Sequence, residues 1–249
     1  MPRYLLTLEY DGGPFVGWQR QENGVSVQGA LEEAVFRLCG ERITAHSAGR
    51  TDAGVHALAM PAHIDIVKEI DSHTVCEAIN YHLKPAPVAA LSAVRVADDF
   101  HARFSATRRS YRYRIVNRRA PLTLDAGKAW RLAPTLDAPA THEAAQALIG
   151  KHDFTTFRAS TCQAETPVKT LSSISVRRRD EDILIETAAR SFLHHQVRSI
   201  AGSLVEVGIG RWSVSDFVDA FHARDRRRCG QVAPAEGLYF VRADYDPAG

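Results

Sequence analysis

In the first part of the chain, hydrophobic residues recur with a period of two in some stretches and at helical spacing in others. Stretches with a period of two predict strands at residues 5–10, 42–48, 59–67 and 88–96. Apolar residues at helical spacing predict two helices, one from Ser26 to Gly40 and one from Asp71 or Ser72 to Leu83. The resulting order, β-α-β-β-α-β, is that of the ferredoxin-like split unit.

The second part of the chain has a similar pattern. Alternation predicts strands at 108–117, 168–177, 183–189 and 239–244, and helical spacing predicts helices at 140–149, 192–207 and 213–222. We therefore predict an α+β protein with two ferredoxin-like halves, 1–105 and 106–249. A central cleft between such halves is a natural site for a large ligand.

One carboxylate stands out in the first half. Asp52 lies in Gly49-Arg-Thr-Asp-Ala-Gly54, where two glycines permit a tight loop and Arg50 supplies a cation two residues away. A nearby cation favours an ionised carboxylate. Asp and Gly are also ordinary turn residues, so the same sequence is equally typical of a surface turn without a function.

Composition narrows the class of protein. The chain of 249 residues is 45% hydrophobic and 24% charged, as in ordinary globular proteins. No apolar run approaches the roughly 18–20 residues that span a bilayer, and the N-terminus is typical of a first strand and not of a signal peptide. The four scattered cysteines and the histidines show no metal-ligand spacing. We expect a cytoplasmic protein with no membrane segment and no metal.

The positive charge is concentrated in arginine. Five of the 31 basic residues are lysine, and seven arginines but no acid lie between residues 100 and 120. Arginine binds phosphate with two hydrogen bonds and stacks on bases. Such a stripe on a near-neutral protein indicates a polyanion-binding track, although charge runs also occur on solvated faces.

Two further side chains have candidate chemistry. Tyr111 lies among the arginines, an arrangement that suits stacking on an unpaired base, but a tyrosine in the core of an amphipathic strand fits equally. Arg198 lies among apolar residues of the predicted helix 192–207, where an arginine usually has a partner. Asp52 is a good candidate for that partner, and an arginine on a solvated stripe is the alternative.

Several ordered motifs together resemble one known family. They are Tyr10-Asp-Gly-Gly-Pro-Phe-Val-Gly-Trp-Gln-Arg-Gln21, Gly49-Arg-Thr-Asp-Ala-Gly-Val-His-Ala57, Asp99-Phe-His-Ala-Arg-Phe-Ser-Ala106, Tyr111-Arg-Tyr-Arg114, His152-Asp-Phe-Thr-Thr-Phe-Arg-Ala159, Phe192-Leu-His-His-Gln-Val-Arg198 and Ala235-Glu-Gly-Leu-Tyr-Phe240. In this order they resemble the tRNA pseudouridine synthase A family, nearly end to end.

The resemblance implies the pseudouridine synthase fold and a set of roles. Asp52 would be the essential catalytic residue, and Arg198 would pair with it. Tyr111 would stack on the target uracil, Arg50 would help hold the base flipped out, and Leu238 would pack beside it. Further tRNA contacts would come from Phe100, His101, Ala102, Arg103, Phe104, Arg119, Thr161, Cys162 and Gln163.

The resemblance also implies a substrate, a partner and a reaction. The substrate would be the anticodon arm of tRNA, at uridines 38, 39 and 40, and the partner a second copy of the chain in a homodimer. The reaction would need no cofactor. Two departures from the family, Arg190 and Glu165, bear on fine RNA contacts.

Two alternatives remain open. One is a catalytically silent RNA-binding protein on the same scaffold. The other is a metal-dependent nuclease that uses Asp52 as a ligand, for which His56 and Asp65 are the nearest co-ligands in sequence.

Overall fold

The computed structural model describes residues 1–246, and the chain divides into two compact units. The first comprises Met1–Thr107 together with the chain from Phe240 onward, and the second comprises Arg108–Tyr239. Each unit combines a sheet with helices, so the predicted α+β class is confirmed. The sequence pattern places the last strand in the second half, whereas from Phe240 it belongs to the first unit, because that strand lies beside a strand of the first unit.

The first unit follows the predicted β-α-β-β-α-β order. Its elements are β1 (Arg3–Tyr10), α1 (Val27–Cys39), β2 (His46–Ser47), β3 (His56–Asp65), α2 (Ser72–Leu83) and β4 (Val88–Val96). β1 lies between β4 and β3, both antiparallel to it, and β2 pairs with β3. In this order, β4-β1-β3-β2, one strand of each β-α-β pair separates the strands of the other: β3 lies between β1 and β2, and β1 lies between β3 and β4. This is the arrangement of the ferredoxin-like split unit.

Cap residues explain where the two helices of this unit begin. The Ser26 side chain accepts a hydrogen bond from the Gly29 amide, and Asp71 accepts one from the Thr74 amide. Gly40 ends α1 in the left-handed conformation, at φ 79°. The predicted helix boundaries are therefore confirmed by the groups that satisfy the helix ends.

The predicted strand at 42–48 is wrong in length, since only His46–Ser47 pairs with β3. The preceding residues Arg42 and Thr44 are exposed and belong to no strand, so alternation there reflects a half-buried loop. The next strand starts at His56, three residues before the predicted start, because Ala57 already pairs with Tyr10 of β1.

The second unit contains the remaining elements. They are β5 (Ala106–Asn117, in this unit from Arg108), β6 (Trp130–Leu132), α3 (Ala138–Gln146), β7 (Gly150–Asp153), β8 (Val168–Arg179), β9 (Asp182–Ala189), α4 (Gln196–Gly208) and α5 (Val214–His222). The sheet order is β5-β9-β8-β7, and β6 runs parallel to β5 at its end. The predicted strands 168–177 and 183–189 are confirmed as β8 and β9, which pair in an antiparallel hairpin. The last strand, β10, spans Leu238–Tyr245 and lies beside β3 from Phe240.

Helix α4 starts later than the spacing predicts. The predicted helix begins at residue 192, but His195 adopts a left-handed backbone with φ 61° and α4 begins only at Gln196. The Gln196 side chain accepts a hydrogen bond from the Leu193 amide, at 2.7 Å, which fixes the non-helical approach. Phe192 therefore lies on an irregular segment before the helix. Among residues 1–246, no helix combines the length and the apolar character needed to cross a bilayer.

A stack of histidines supports the turn that follows β4. The His63 ring lies 5.0 Å from the His46 ring and 4.6 Å from the His101 ring, centroid to centroid. His63 Nδ1 accepts a hydrogen bond from the Ala102 amide, at 3.1 Å. Burial, with the neighbouring charges of His101 and Arg3, lowers the pKa of His63 to about 4. Protonation of Nδ1 would remove this acceptor.

These contacts predict a pH-dependent stability. An unfolded histidine gains its proton as the pH falls below about 6.5, whereas folded His63 does not until about pH 4. The free energy of unfolding should therefore fall between about pH 6.5 and pH 4, with a limiting slope of about 1.4 kcal/mol per pH unit for this group. His63→Asn keeps an acceptor near the Ala102 amide but does not titrate, so urea unfolding should show a flatter pH dependence.

The control is His73→Asn, because His73 is exposed on α2. This control should leave the pH slope of wild type unchanged. Equal slopes for His63→Asn and wild type would contradict the role given to His63.

Candidate active site

The loop that carries Asp52 is anchored through its neighbour, Thr51. Thr51 is buried, its hydroxyl lies 2.9 Å from the Tyr10 hydroxyl, and its carbonyl accepts a hydrogen bond from the Trp18 amide at 3.0 Å. The Asp52 carbonyl in turn accepts from the Val55 amide at 3.1 Å, which closes a tight turn. The backbone on both sides of a half-buried Asp52 side chain is therefore fixed.

Two glycines, Gly12 and Gly17, hold this loop by close approach; we call them the glycine clamp. A Cβ on Gly12 would lie 2.0 Å from the Val55 carbonyl oxygen, and one on Gly17 would lie 2.6 Å from the Thr51 carbonyl oxygen. Gly17 also has φ +117°, a conformation that other residues rarely adopt. Any side chain at these two positions would displace the Asp52 loop.

His56 contacts the chain beside the glycine clamp, at Gly12 and Asp11. The Gly12 amide donates to His56 Nδ1 at 3.0 Å, and Asp11 Oδ1 lies 3.1 Å from the same nitrogen. His56 is buried at the start of β3. The sequence motif around Gly12 and Gly17 marked the family resemblance, but nothing in the pattern indicated that it supports the Asp52 loop. The only sequence signal for this role is that Gly12 and Gly17 occur five residues apart in a motif that accompanies the Asp52-Ala-Gly54 motif.

Arg50 lies on the same loop but faces solvent. It is exposed, and the loop between β2 and β3 is not a strand at this position. In the first unit, the Asp52 carboxylate therefore lies on a fixed backbone, and the exposed cation of Arg50 lies two residues before it.

In the second unit, Tyr111 occupies a half-buried position on β5, opposite Thr187 of β9. The ring of Phe192 meets it edge-on, with centroids 5.0 Å apart and planes at 82°. Edge-to-face contact is a preferred arrangement of aromatic rings. Tyr111 therefore has a fixed aromatic neighbour, which the sequence pattern did not identify because it placed Phe192 on a helix.

Arg198 is tied to the segment before β10. Its Nε donates to the Ala233 carbonyl at 2.8 Å, and its own carbonyl accepts from the Ala233 amide at 3.1 Å. Its helix neighbours Val197 and Ile200 are buried, so Arg198 does not lie on a solvated stripe. Leu238, five residues beyond Ala233, is buried at 6% exposure.

Tyr113 is tied to the same segment before β10. Its hydroxyl donates to the Pro234 carbonyl at 2.7 Å, and the backbone at Gly237 approaches its ring so closely that a Cβ there would lie 2.5 Å away. Burial raises the pKa of Tyr113, and the positive charge of Arg198 opposes part of that rise. A neutral, fully buried tyrosine thus fixes the chain between Ala233 and Leu238.

The segment predicted to contact RNA in the first unit has exposed and buried members. Arg103 and Phe104 are exposed, Phe104 at 71%, and the Arg103 guanidinium lies 5.6 Å from the Phe104 ring centre. Ala102 is fully buried, and its amide donates a hydrogen bond to His63 Nδ1. Phe100 packs on Tyr245, with ring centroids 5.0 Å apart. Arg103 and Phe104 are therefore the members with most surface to offer, while His101 is half-buried in the histidine stack.

The corresponding segment of the second unit is more open. Thr161 and Gln163 are exposed and Cys162 is half-buried. Burial would raise the pKa of the Cys162 thiol, but the backbone N–H groups of Ala164 and His194 and the nearby Arg158 outweigh it and lower that pKa.

The remaining predicted residues lie on the surface of the second unit. Arg119 is exposed just beyond β5, and its carbonyl accepts a hydrogen bond from Arg131 at 2.7 Å. The two departures from the family pattern, Glu165 and Arg190, are also exposed. Asp52, Arg50 and residues 100–104 belong to the first unit and the other predicted residues to the second, so the Asp52–Arg198 pair stays a prediction.

A family model and individual relatives of this chain carry the same family name. A family model described as tRNA pseudouridine synthase matches residues 7–105 and 144–246. Proteins named tRNA pseudouridine synthase A are similar over 245 residues: 61% identity with that of Maricaulis maris, covering 98% of both chains, and 59% with that of Afipia carboxidovorans, covering 98% of this chain and 100% of the relative.

A further relative of the same name, from Rhizorhabdus wittichii, is 60% identical over 98% of this chain and 96% of its own. Among solved structures, the crystal structure of a Cbf5-Nop10-Gar1 complex aligns with 96% of this chain and 48% of that chain, at 10% identity and a TM-score of 0.41, which is too distant to bear on the site. With a family model over most of the chain and relatives near 60% identity along its length, the chain belongs to the tRNA pseudouridine synthase family.

Proposed function

We propose that this protein converts uridine to pseudouridine in the anticodon arm of tRNA, at positions 38, 39 and 40. The observation that supports this most is the Asp52 loop, a single carboxylate on a backbone fixed by the glycine clamp. Family membership and the name of the full-length relatives, tRNA pseudouridine synthase A, supply the reaction and the class of RNA. The positions within the anticodon arm come from the sequence resemblance.

The chemistry suits one carboxylate. The N1–C1′ bond of uridine breaks, the uracil turns, and a C5–C1′ bond forms; the hydrogen on C5 leaves to solvent and N1 gains a proton. Cleavage develops positive charge at the sugar, which a fixed carboxylate stabilises. A glycosidase needs a second carboxylate to activate water, whereas here the departing base is itself the nucleophile. Asp52 is thus sufficient as the single acidic group, and no cofactor is required.

Each remaining residue has a task that its geometry supports. The target base must leave the stack before it can react. Tyr111, held edge-on by Phe192, would stack on the extruded uracil, and buried Leu238 would pack beside it. Arg198, fixed by Ala233, would pair with Asp52, and exposed Arg50 would occupy the space that the base leaves.

The surface contacts would follow the exposed residues of the predicted segments. Arg103 and Arg119 would neutralise phosphates, and Phe104 would meet a base or sugar. Thr161 and Gln163 would supply hydrogen bonds, since both side chains are exposed. We further propose that the protein acts as a homodimer in the cytoplasm and without a metal ion.

The nuclease alternative finds little support in the first unit. Asp65 forms two hydrogen bonds with the guanidinium of Arg3, at 2.7 and 2.8 Å, and His56 Nδ1 is held by Gly12 and Asp11. Both suggested co-ligands of Asp52 are therefore occupied in structural contacts. The silent RNA-binding alternative differs from our proposal only in turnover, so turnover is what an experiment must measure.

The first prediction from this proposal concerns Asp52→Asn. Tritium at C5 of uridine is released to water when C5 becomes bonded to C1′, so release from [5-³H]uridine tRNA transcripts reports turnover directly. Wild type should release tritium in excess EDTA. Asp52→Asn should release none while its affinity for the transcript stays within about twofold, because only the charge is lost.

A matched control and a set of transcripts make the test specific. Asp219→Asn changes an exposed carboxylate on α5 and should turn over as wild type does. Transcripts with cytidine at positions 38–40 should release no tritium. Turnover by Asp52→Asn would refute the catalytic role, EDTA inhibition would refute the metal-free reaction, and release from the cytidine transcripts would refute the choice of positions.

A second prediction concerns the basic surface. Affinity for tRNA should fall linearly on a log–log plot against salt, because each neutralised phosphate releases counterions, with a slope of about −0.7 to −0.9 per contact. Arg103→Gln should weaken binding and make the slope shallower by about one. Arg37→Gln, which removes an exposed arginine paired with Glu33 on α1, should leave the slope unchanged. Equal slopes for Arg103→Gln and wild type would contradict a phosphate contact at Arg103.

A further inference from the structure

Arg109 is a buried arginine on the strand that carries Tyr111. Only 8% of it is exposed, although arginine is almost never fully buried unless it is paired. Side chains two residues apart on a strand point to the same face, so Arg109, Tyr111 and buried Tyr113 share one side of β5. The neighbouring arginines of the other face, Arg112 and Arg114, form ion pairs with carboxylates.

A backbone carbonyl is one partner of Arg109. Its Nη1 donates to the carbonyl oxygen of Arg190, the first residue after β9. Arg109 is also the register partner of Ala189, the last residue of β9. The hydrogen bond therefore holds the chain at the point where it leaves the sheet.

The segment that begins there leads directly to Phe192. Only Ser191 separates Arg190, whose carbonyl is held by Arg109, from Phe192, whose ring meets Tyr111. On the far side of Phe192, the Leu193 amide donates to the Gln196 side chain, and Leu193 itself is buried. Phe192 is therefore fixed from both directions, by Arg109 before it and by Gln196 after it.

We propose that Arg109 is a positioning residue for the isomerisation. Through the Arg190 carbonyl it holds Phe192 against Tyr111, and so keeps the Tyr111 ring in the orientation that stacks on the extruded uracil. The inference rests on the proposed function, because it gives Tyr111 that task. The arginines around Tyr111 then include one whose role is to set the geometry of the stacking ring and not to grip phosphate.

The test is a double-mutant cycle on the single-turnover rate of tritium release. Phe192→Leu keeps an apolar side chain but removes the ring contact, and Arg109→Lys keeps a buried cation but loses the planar guanidinium. Each should lower the rate about tenfold to a hundredfold, as small misplacements at a reacting centre do, while the Kd for tRNA stays within about twofold. The double variant should be no slower than the slower single variant, because both changes release the same ring.

Several results would overturn this inference. One is a wild-type rate for Phe192→Leu, which tests the contact even where changes at buried Arg109 impair folding. Additive losses in the double variant, or weaker tRNA binding with an unchanged single-turnover rate, would also overturn it. Arg211→Gln is the matched control, since Arg211 is an exposed arginine of the second unit that pairs with Glu206 outside the arginine run, and it should react as wild type does. Absence of release by wild type would overturn the proposed function and this inference together.

Discussion

The site depends on the close approach of two backbone segments in the first unit. The chain at Gly12 and Gly17 passes the loop at Thr51–Val55 with no room for a Cβ at either glycine. This approach lets the Trp18 amide bond the Thr51 carbonyl and lets the Gly12 amide bond His56. A carboxylate that must meet developing charge is useful only if it is held in advance, and these backbone contacts hold Asp52 without using its side chain.

The arginines of the second unit show why composition overstates an RNA-binding track. Arg114 forms hydrogen bonds with Asp125 and Asp182, which hold the pKa of Asp125 below its usual range. Arg112 and Arg177 both contact Glu186. Most arginines of β5 thus have a structural partner. The acidic partners lie on β9, 68 and 74 residues away in sequence, and on the loop after β5, 11 residues away. The exposed members, such as Arg119, remain for phosphate.

Local signals in the sequence were sufficient for much of the fold. The caps at Ser26 and Asp71 gave the starts of α1 and α2, and β4 occupies the predicted residues 88–96. The helix start near residue 192 failed because the left-handed backbone at His195 depends on contacts that a periodic pattern does not include. The assignment of β10 from Phe240 to the first unit depends on its neighbour β3, which lies at the other end of the chain and which no local signal encodes.

The candidate site also contains residues that the sequence could identify and residues that it could not. Asp52, Tyr111 and Arg198 could be picked out because each is an unusual residue in its local setting. The supports of these residues could not, since Phe192, Ala233 and the glycine clamp act through distances across the fold. Resemblance to a family supplies the proposed roles of these residues, while the structure shows what keeps each of them in place.

The most direct test of this account is the single-turnover rate of Gly17→Ala. A Cβ at Gly17 would meet the Thr51 carbonyl, whereas one at Gly40, which also has a positive φ, would meet open space. Both variants place alanine at a positive φ, so Gly40→Ala controls for that substitution without the contact. We predict a folded Gly17→Ala protein that binds tRNA but releases tritium about a hundredfold more slowly, and a Gly40→Ala protein with the wild-type rate. A wild-type rate for Gly17→Ala would contradict the claim that the glycine clamp sets the position of Asp52.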